Sequence, residues 1–203
     1  MGPGDAPKHA FCNFAHHAMK INEIDRVLSA IRGASGLDEF VVIGSLSALG
    51  ITSGNLPARM TWSMEVRAYP ERDPDRASEF SAQFGEDSAF HRIYGYYFDA
   101  VSPDLPTLPE GWEQRMIKQV LPSGVKVKYL EPNDCAVSKY ARSEPKDRDW
   151  IRAGIEAGIL SLATIDYRMR ETLFIDDEEH LKAKVALKED IAWFKTLQGQ
   201  RGK

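Results

Sequence analysis

The sequence predicts an α+β fold in which a mixed sheet is followed by a helical C-terminal half. Three observations carry this. Short β-prone runs fall before residue 131, and helical periodicity dominates after it. One apolar run, Phe40-Val41-Val42-Ile43, stops at Gly44-Ser45 and passes straight into a helical segment. Strands first and helices afterwards describe a sheet covered by helices rather than an alternating α/β array.

The elements follow in order. Residues 1–19 hold turn formers without a period and read as a flexible N-terminal arm. Ile21, Ile24, Leu28 and Ile31 recur every three or four residues, which predicts an amphipathic helix over 20–32, ended by Gly33 and Gly36. Residues 40–43 predict a buried strand, and residues 45–49 open a helix. Polar groups on alternate positions predict a second strand over 61–66, continuing toward Pro70. A helix is expected over 75–84, with Asp73 or Pro74 at its start. The aromatic run from Ile93 to Val101 predicts a strand ending near Asp99. After a Pro-rich loop, residues 116–120 and 125–130 predict a hairpin through Pro122-Ser123-Gly124. Helices are expected at 133–142, 145–157, 161–172 and 177–197, the last with Leu187, Ile191, Phe194 and Leu197 as its apolar stripe. This divides the chain into the arm, an α/β core over 20–131 and a helical region over 132–203 packed on it.

A chain of 203 residues with 43% hydrophobic content supports one domain with a real core, or a small domain with a helical appendix. The net charge of −4 does not favour nonspecific nucleic-acid binding, although a local basic face stays compatible with it. No apolar run has the length of a membrane span. Cys12 and Cys135 form neither a disulfide framework nor a zinc site, and the first ten residues do not read as a signal peptide, so a cytoplasmic protein is expected. His16-His17 read as solvated side chains, His91 and His180 as surface residues, and Leu108-Pro109-Glu110-Gly111-Trp112 as a turn anchored by a buried Trp.

Four groups of residues carry chemistry. Gly44-Ser45, between a strand and a helix, suits a phosphate, because Gly allows close approach and Ser45 adds a hydroxyl donor; ordinary turn chemistry explains the pair equally. Ser63 and Glu65 lie two apart and share a strand face. Paired carboxylates there would share magnesium, but Ser63 is neutral and a poor ligand, and an alternating strand facing water is the plain alternative. Asp99, at a strand end, fits a third metal ligand or a turn residue. Asp147 lies one turn before Trp150 and Ile151 on a core-facing helix stripe, where a carboxylate needs a partner or a function; a favourable charge at a helix N-terminus also explains it. Lys139, Arg142 and Lys146 cluster with it, and Lys139 is a compact cation suited to a triphosphate.

Together these pieces resemble bacterial nucleotidyltransferase-fold proteins of the minimal type, distantly similar to AbiEii-type toxins. The resemblance covers roughly residues 20–160. It rests on Ile43-Gly44-Ser45, on Thr61 and Glu65, on Leu108-Pro109-Glu110-Gly111-Trp112, and on Leu130-Glu131-Pro132-Asn133-Asp134 continuing to Ser138-Lys139 and Lys146-Asp147. It implies a nucleotidyltransferase-like mixed β-sheet with flanking helices. It also implies nucleotide binding by Gly44, Ser45, Ser63, Lys139 and Lys146, magnesium on Glu65 and Asp99, and catalysis by Glu65, Asp99 and Asp147. The implied reaction moves a nucleoside monophosphate from a nucleoside triphosphate to an RNA or protein acceptor, in a toxin–antitoxin or defence system with an antitoxin-like protein partner. Ser63 and Glu65 stand on the family's Asp-x-Asp positions, so the metal site is degenerate. Two other readings stay open: an inactive scaffold or partner-binding protein with the same fold, and an unrelated α+β interaction module.

Overall fold

Five strands form one mixed sheet at the centre of the molecule, whose computed structural model describes residues 18–51 and 56–201. They are β1 (Glu39–Val42), β2 (Glu65–Pro70), β3 (Tyr97–Ala100), β4 (Ile117–Val120) and β5 (Lys126–Tyr129), in the order β3-β2-β1-β5-β4. The central strand β1 pairs antiparallel to β2 and parallel to β5. Phe40, Val41 and Val42 are all buried, as an apolar run covered on both faces requires. β2 and β3 run parallel, with Glu65 opposite Tyr97 and Arg67 opposite Asp99. β4 and β5 form the expected hairpin, whose turn closes through a hydrogen bond from Leu121 N to Val125 O at 2.8 Å.

Helices cover the sheet: α1 (Ile21–Ser35), α2 (Ala58–Thr61), α3 (Ser81–Phe84), α4 (Ala89–Tyr94), α5 (Pro132–Arg142), α6 (Pro145–Glu156), α7 (Leu162–Arg170) and α8 (Asp177–Arg201). α1 buries Ile24, Val27, Leu28 and Ile31. Gly36, at φ 77°, ends it, whereas Gly33 stays inside the helix because its backbone keeps the helical hydrogen bonds. Pro132 and Pro145 stand in the first turns of α5 and α6, where a missing N–H is harmless. A single contiguous core includes Met19 before α1, the strands and Leu187 on α8, so the helices after residue 131 pack on the same core as the strands. Among the described residues no helix is long and apolar enough to cross a membrane.

Several boundaries differ from the expectation. The aromatic run from Ile93 begins as helix and becomes strand only at Tyr97. Ser88 caps α4 by accepting from His91 N, and Gly95 stops it at φ 79°; this local punctuation outranks the β-propensity of the aromatics. Residues 61–64 are not strand either, because Thr61 closes α2 and β2 begins at Glu65. The 75–84 segment splits into a 3-10 helix, Pro74–Phe80, and α3, and the helix opening at Ser45 is also 3-10. On α8 Leu187 is buried, but Ile191 and Phe194 are only partly covered, because Asp190 takes the buried position between them. Trp112 is likewise only partly buried. His91 packs against Tyr97 with ring centroids 4.8 Å apart, and His180 stacks on Phe174 at 4.6 Å. The arm, Cys12 and His16-His17 lie outside the described residues, apart from Ala18 and Met19.

The end of the 3-10 turn is set by a close approach. A Cβ added to Gly50 would stand 2.6 Å from the Tyr129 Cβ, an atom that cannot swing away. Gly50→Ala is therefore expected to destabilise the protein by about 1–3 kcal/mol through overpacking, read as a lower urea midpoint. Gly33→Ala, whose Cβ meets nothing within 4 Å, is the comparison and should not lower the midpoint. Equal midpoints for the two variants would contradict the packing argument.

Candidate functional site

The site begins where β1 ends. Ile43 N still donates to Arg67 O at 3.0 Å, and the chain then turns at Gly44 with φ 72° and ψ −153°, a conformation that disfavours a side chain. Both the backbone N–H and the hydroxyl of Ser47 donate back to Gly44 O, at 3.1 and 2.7 Å. The turn is pinned from beneath. The Trp150 indole Nε1 donates to Ser45 O at 3.2 Å and to Met60 O at 3.0 Å, and Lys139 Nζ donates to Ser45 Oγ at 3.2 Å. The Cys135 thiol donates to Gly44 O at 3.3 Å; burial pushes its pKa up, so it stays a thiol.

Two clefts open beside this turn. Ser45, Ser63, Glu65 and Lys146 line one of about 280 Å³, with Trp62 and Tyr97 among its walls. Gly44, Asp99 and Lys139 line a neighbouring one of about 570 Å³. Arg67 and Arg142 line both. The structure thus gathers seven of the eight sequence-predicted residues around one turn but distributes them over two spaces. Asp147 lines neither of these clefts.

Arg67 is the residue that the sequence reading missed. It stands two positions after Glu65 on β2 and opposite Asp99 on β3, so all three project from one face. Its Nη2 donates to Glu65 Oε2 at 3.1 Å and its Nε to Asp99 Oδ2 at 3.0 Å. The alternation 63, 65, 67 was visible in the sequence; what hid its meaning was the register that brings Asp99 to the same point.

These residues, as arranged, do not fit a magnesium pair. Magnesium needs charged oxygens with free lone pairs in near-octahedral array. Glu65 and Asp99 instead converge on a guanidinium. The Ser63 hydroxyl is engaged with its own backbone, donating to Glu65 O at 3.0 Å and accepting from Glu65 N at 3.1 Å. Among the described residues no group of three or more His, Cys, Asp or Glu is disposed to hold a metal ion.

Lys139 and Asp147 form a buried pair, 2.9 Å apart, with side chains 5% and 1% exposed. Arg142 completes it, placing Nε 2.8 Å from Asp147 Oδ2 and Nη2 2.6 Å from Oδ1. Burial would raise the Asp147 pKa, but the Arg142 hydrogen bonds and the Lys139 charge outweigh it and hold the carboxyl below the ordinary range. Both Asp147 oxygens are therefore occupied, and Lys139 faces the turn from below, with Trp150 packed against its ammonium at 4.9 Å. The pair holds the floor of the site. Lys146, by contrast, is exposed at the rim, 3.4 Å from Glu144.

A family profile described as nucleotidyltransferase of unknown function (DUF6036) matches residues 19–201. The chain belongs to this nucleotidyltransferase family. No curated protein and no solved structure matches it. The family match agrees with the mixed sheet and the helical C-terminal part. In this family member, β2 carries Glu65 and Arg67 on one face, Ser63 precedes the strand, and Arg67 pairs with both acids beside the cleft.

Proposed function

We propose that this nucleotidyltransferase-family protein binds a nucleoside triphosphate beside Ser45 and transfers the nucleotidyl group weakly or not at all. The observation that carries the proposal is the Arg67 guanidinium bonded to both Glu65 and Asp99. A metal-assisted transfer needs those carboxylates for cations that offset charge on the phosphoryl oxygens, a contribution of several kcal/mol. Each 1.36 kcal/mol or so is tenfold in rate, so acids committed to an arginine reduce transfer by orders of magnitude. The inactive-scaffold reading is thereby favoured over a working transferase. Where residual transfer occurs, an acceptor hydroxyl on RNA or protein would attack the α-phosphorus and pyrophosphate would leave. A toxin–antitoxin or defence setting, with an antitoxin-like partner, rests on the AbiEii resemblance alone.

The test incubates the protein with magnesium, labelled nucleoside triphosphates, and total RNA or cell extract, beside Glu65→Ala and Ser63→Asp. Little or no wild-type labelling is expected, and Ser63→Asp alone should not restore it while Arg67 still holds Glu65 and Asp99. Strong wild-type labelling abolished by Glu65→Ala would replace the proposal with an active enzyme at this site. Strong labelling that survives Glu65→Ala would move the chemistry elsewhere.

A further inference from the structure

We infer that the cleft holds its nucleotide without a divalent cation, with Arg67, Arg142 and Lys146 taking the phosphates and an aromatic wall of Trp62 and Tyr97 taking the base. The inference rests on the nucleotide-binding reading above and adds to it how the ligand's charge is met.

A triphosphate brings several negative charges, which a transferase of this class offsets with metal. Here a cation is already built in. Arg67 uses one N–H of Nε and one of Nη2 on Asp99 and Glu65. A guanidinium has five N–H donors in a fixed fork, so three remain, and no described residue accepts from them. The two carboxylates hold the guanidinium in place, and arginine forks match phosphate oxygens in pairs. Arg142 is oriented in the same manner. Nε and Nη2 bind Asp147, which is buried behind the site, and the side chain borders both clefts. Lys146 adds an exposed ammonium at the rim. The lining of the smaller cleft therefore carries three cations against one carboxylate, Glu65. Arg67 takes one oxygen of each acid that would bind magnesium, so magnesium on the phosphates would compete with the guanidinium for those acids and weaken the charge that the arginines pair.

The second observation is aromatic. Trp62 and Tyr97 border the same cleft as the three cations. Arg59 lies over the Trp62 ring with its guanidinium carbon 4.4 Å from the centroid, and His91 packs on Tyr97, so each ring is braced by a neighbour. Burial, with Glu65 nearby, pushes the Tyr97 phenol pKa up to about 12, so the ring stays neutral at physiological pH. Base–aromatic stacking is favourable for any nucleobase. Cations beside aromatic rings select an anion that carries a flat ring, which is the chemistry of a nucleotide.

The experiment is calorimetric titration of the full chain with ATP, and separately with inorganic triphosphate, in EDTA and in excess magnesium. ATP is expected to bind in EDTA at least as tightly as with magnesium, to weaken with added salt, and to bind more tightly than triphosphate. Arg67→Gln should lose about tenfold or more of the metal-free affinity, the scale of a charge-assisted hydrogen bond. Lys146→Ala, an exposed change that leaves the fold intact, should weaken ATP roughly two- to fivefold, as a single rim contact would. Trp62→Ala and Tyr97→Ala should together remove the preference for ATP over triphosphate. Binding of ATP only when magnesium is present would overturn the inference and leave the nucleotide-binding reading standing. No binding under either condition would overturn that reading itself. Equal affinity for triphosphate and ATP would overturn the aromatic half.

Discussion

Asp147→Ala is expected to destabilise the protein by about 3–5 kcal/mol, the cost of breaking a buried ion pair on one side only. The size follows from Lys139. Its side chain is 5% exposed, and Asp147 is its ion-pair partner at 2.9 Å, so truncation leaves an ammonium with no counter-ion and little water. Arg142 also loses two hydrogen bonds, but it is 37% exposed and reaches solvent. Asp147→Asn should cost less, because the amide keeps one acceptor. Pairing Asp147→Ala with Lys139→Met should recover most of the loss, because an apolar pair of similar volume needs no compensation. The measurement is urea unfolding of the four proteins. A single Asp147→Ala variant within about 0.5 kcal/mol of wild type would contradict the burial argument, as that is the range of an ordinary surface change.

The same group makes a pH prediction. An unfolded Asp titrates near pH 3.9, and the folded Asp147 carboxyl is held lower. Its contribution is therefore fully present above about pH 4 and is lost as pH falls through the lower folded value. Below about pH 4 the wild type should lose stability more steeply than Asp147→Asn. Because Lys139 also holds the Ser45 hydroxyl, ligand binding at the turn should weaken in the variants that keep their fold.

Asp190→Ala is expected to cost about 3 kcal/mol and to loosen α8. Asp190 is fully buried and accepts from Tyr140 Oη at 3.0 Å, from Arg148 Nε and Nη2 at 3.1 Å each, and from Arg152 Nε at 2.9 Å. These donors come from α5 and α6, so one carboxylate ties three helices together. The effect should be smaller than at Asp147, because Arg148 and Arg152 are 32% and 36% exposed and can turn to water. The Tyr140 phenol cannot, and burial beside Asp190 already pushes its pKa up. Amide hydrogen exchange along α8 is the readout. Unchanged protection of α8 beside Leu187 would show that apolar packing alone docks the helix.

Much of the fold was legible because the relevant signals are local. The period of Ile24, Leu28 and Ile31, the apolar run of β1, the Pro-started helices α5 and α6, and the Gly124 turn each depend on neighbours within a few residues. The errors came where a local stop competed with propensity. Gly95 and the Ser88 cap kept Ile93 and Tyr94 helical, and a buried Asp190 displaced the apolar stripe expected on α8.

At the site, the sequence by itself determined a buried strand that stops at Gly44-Ser45 and a later polar strand that carries Glu65, though not that Ser63 falls before that strand begins. It also determined that Asp147 sits on a buried helix face. Only the tertiary structure decided who meets whom. The parallel register of β2 and β3 sets Arg67 opposite Asp99, a pairing across 32 residues that no local pattern encodes. The packing of α5 and α6 under the turn closes Lys139 on Asp147, which makes a structural cation of a lysine that resembles a ligand contact, while Arg142 is anchored on the same carboxylate and still borders the clefts. Charge on a side chain is written in the sequence, but its partner is set by distance, and in this protein distance gives the acids to Arg67.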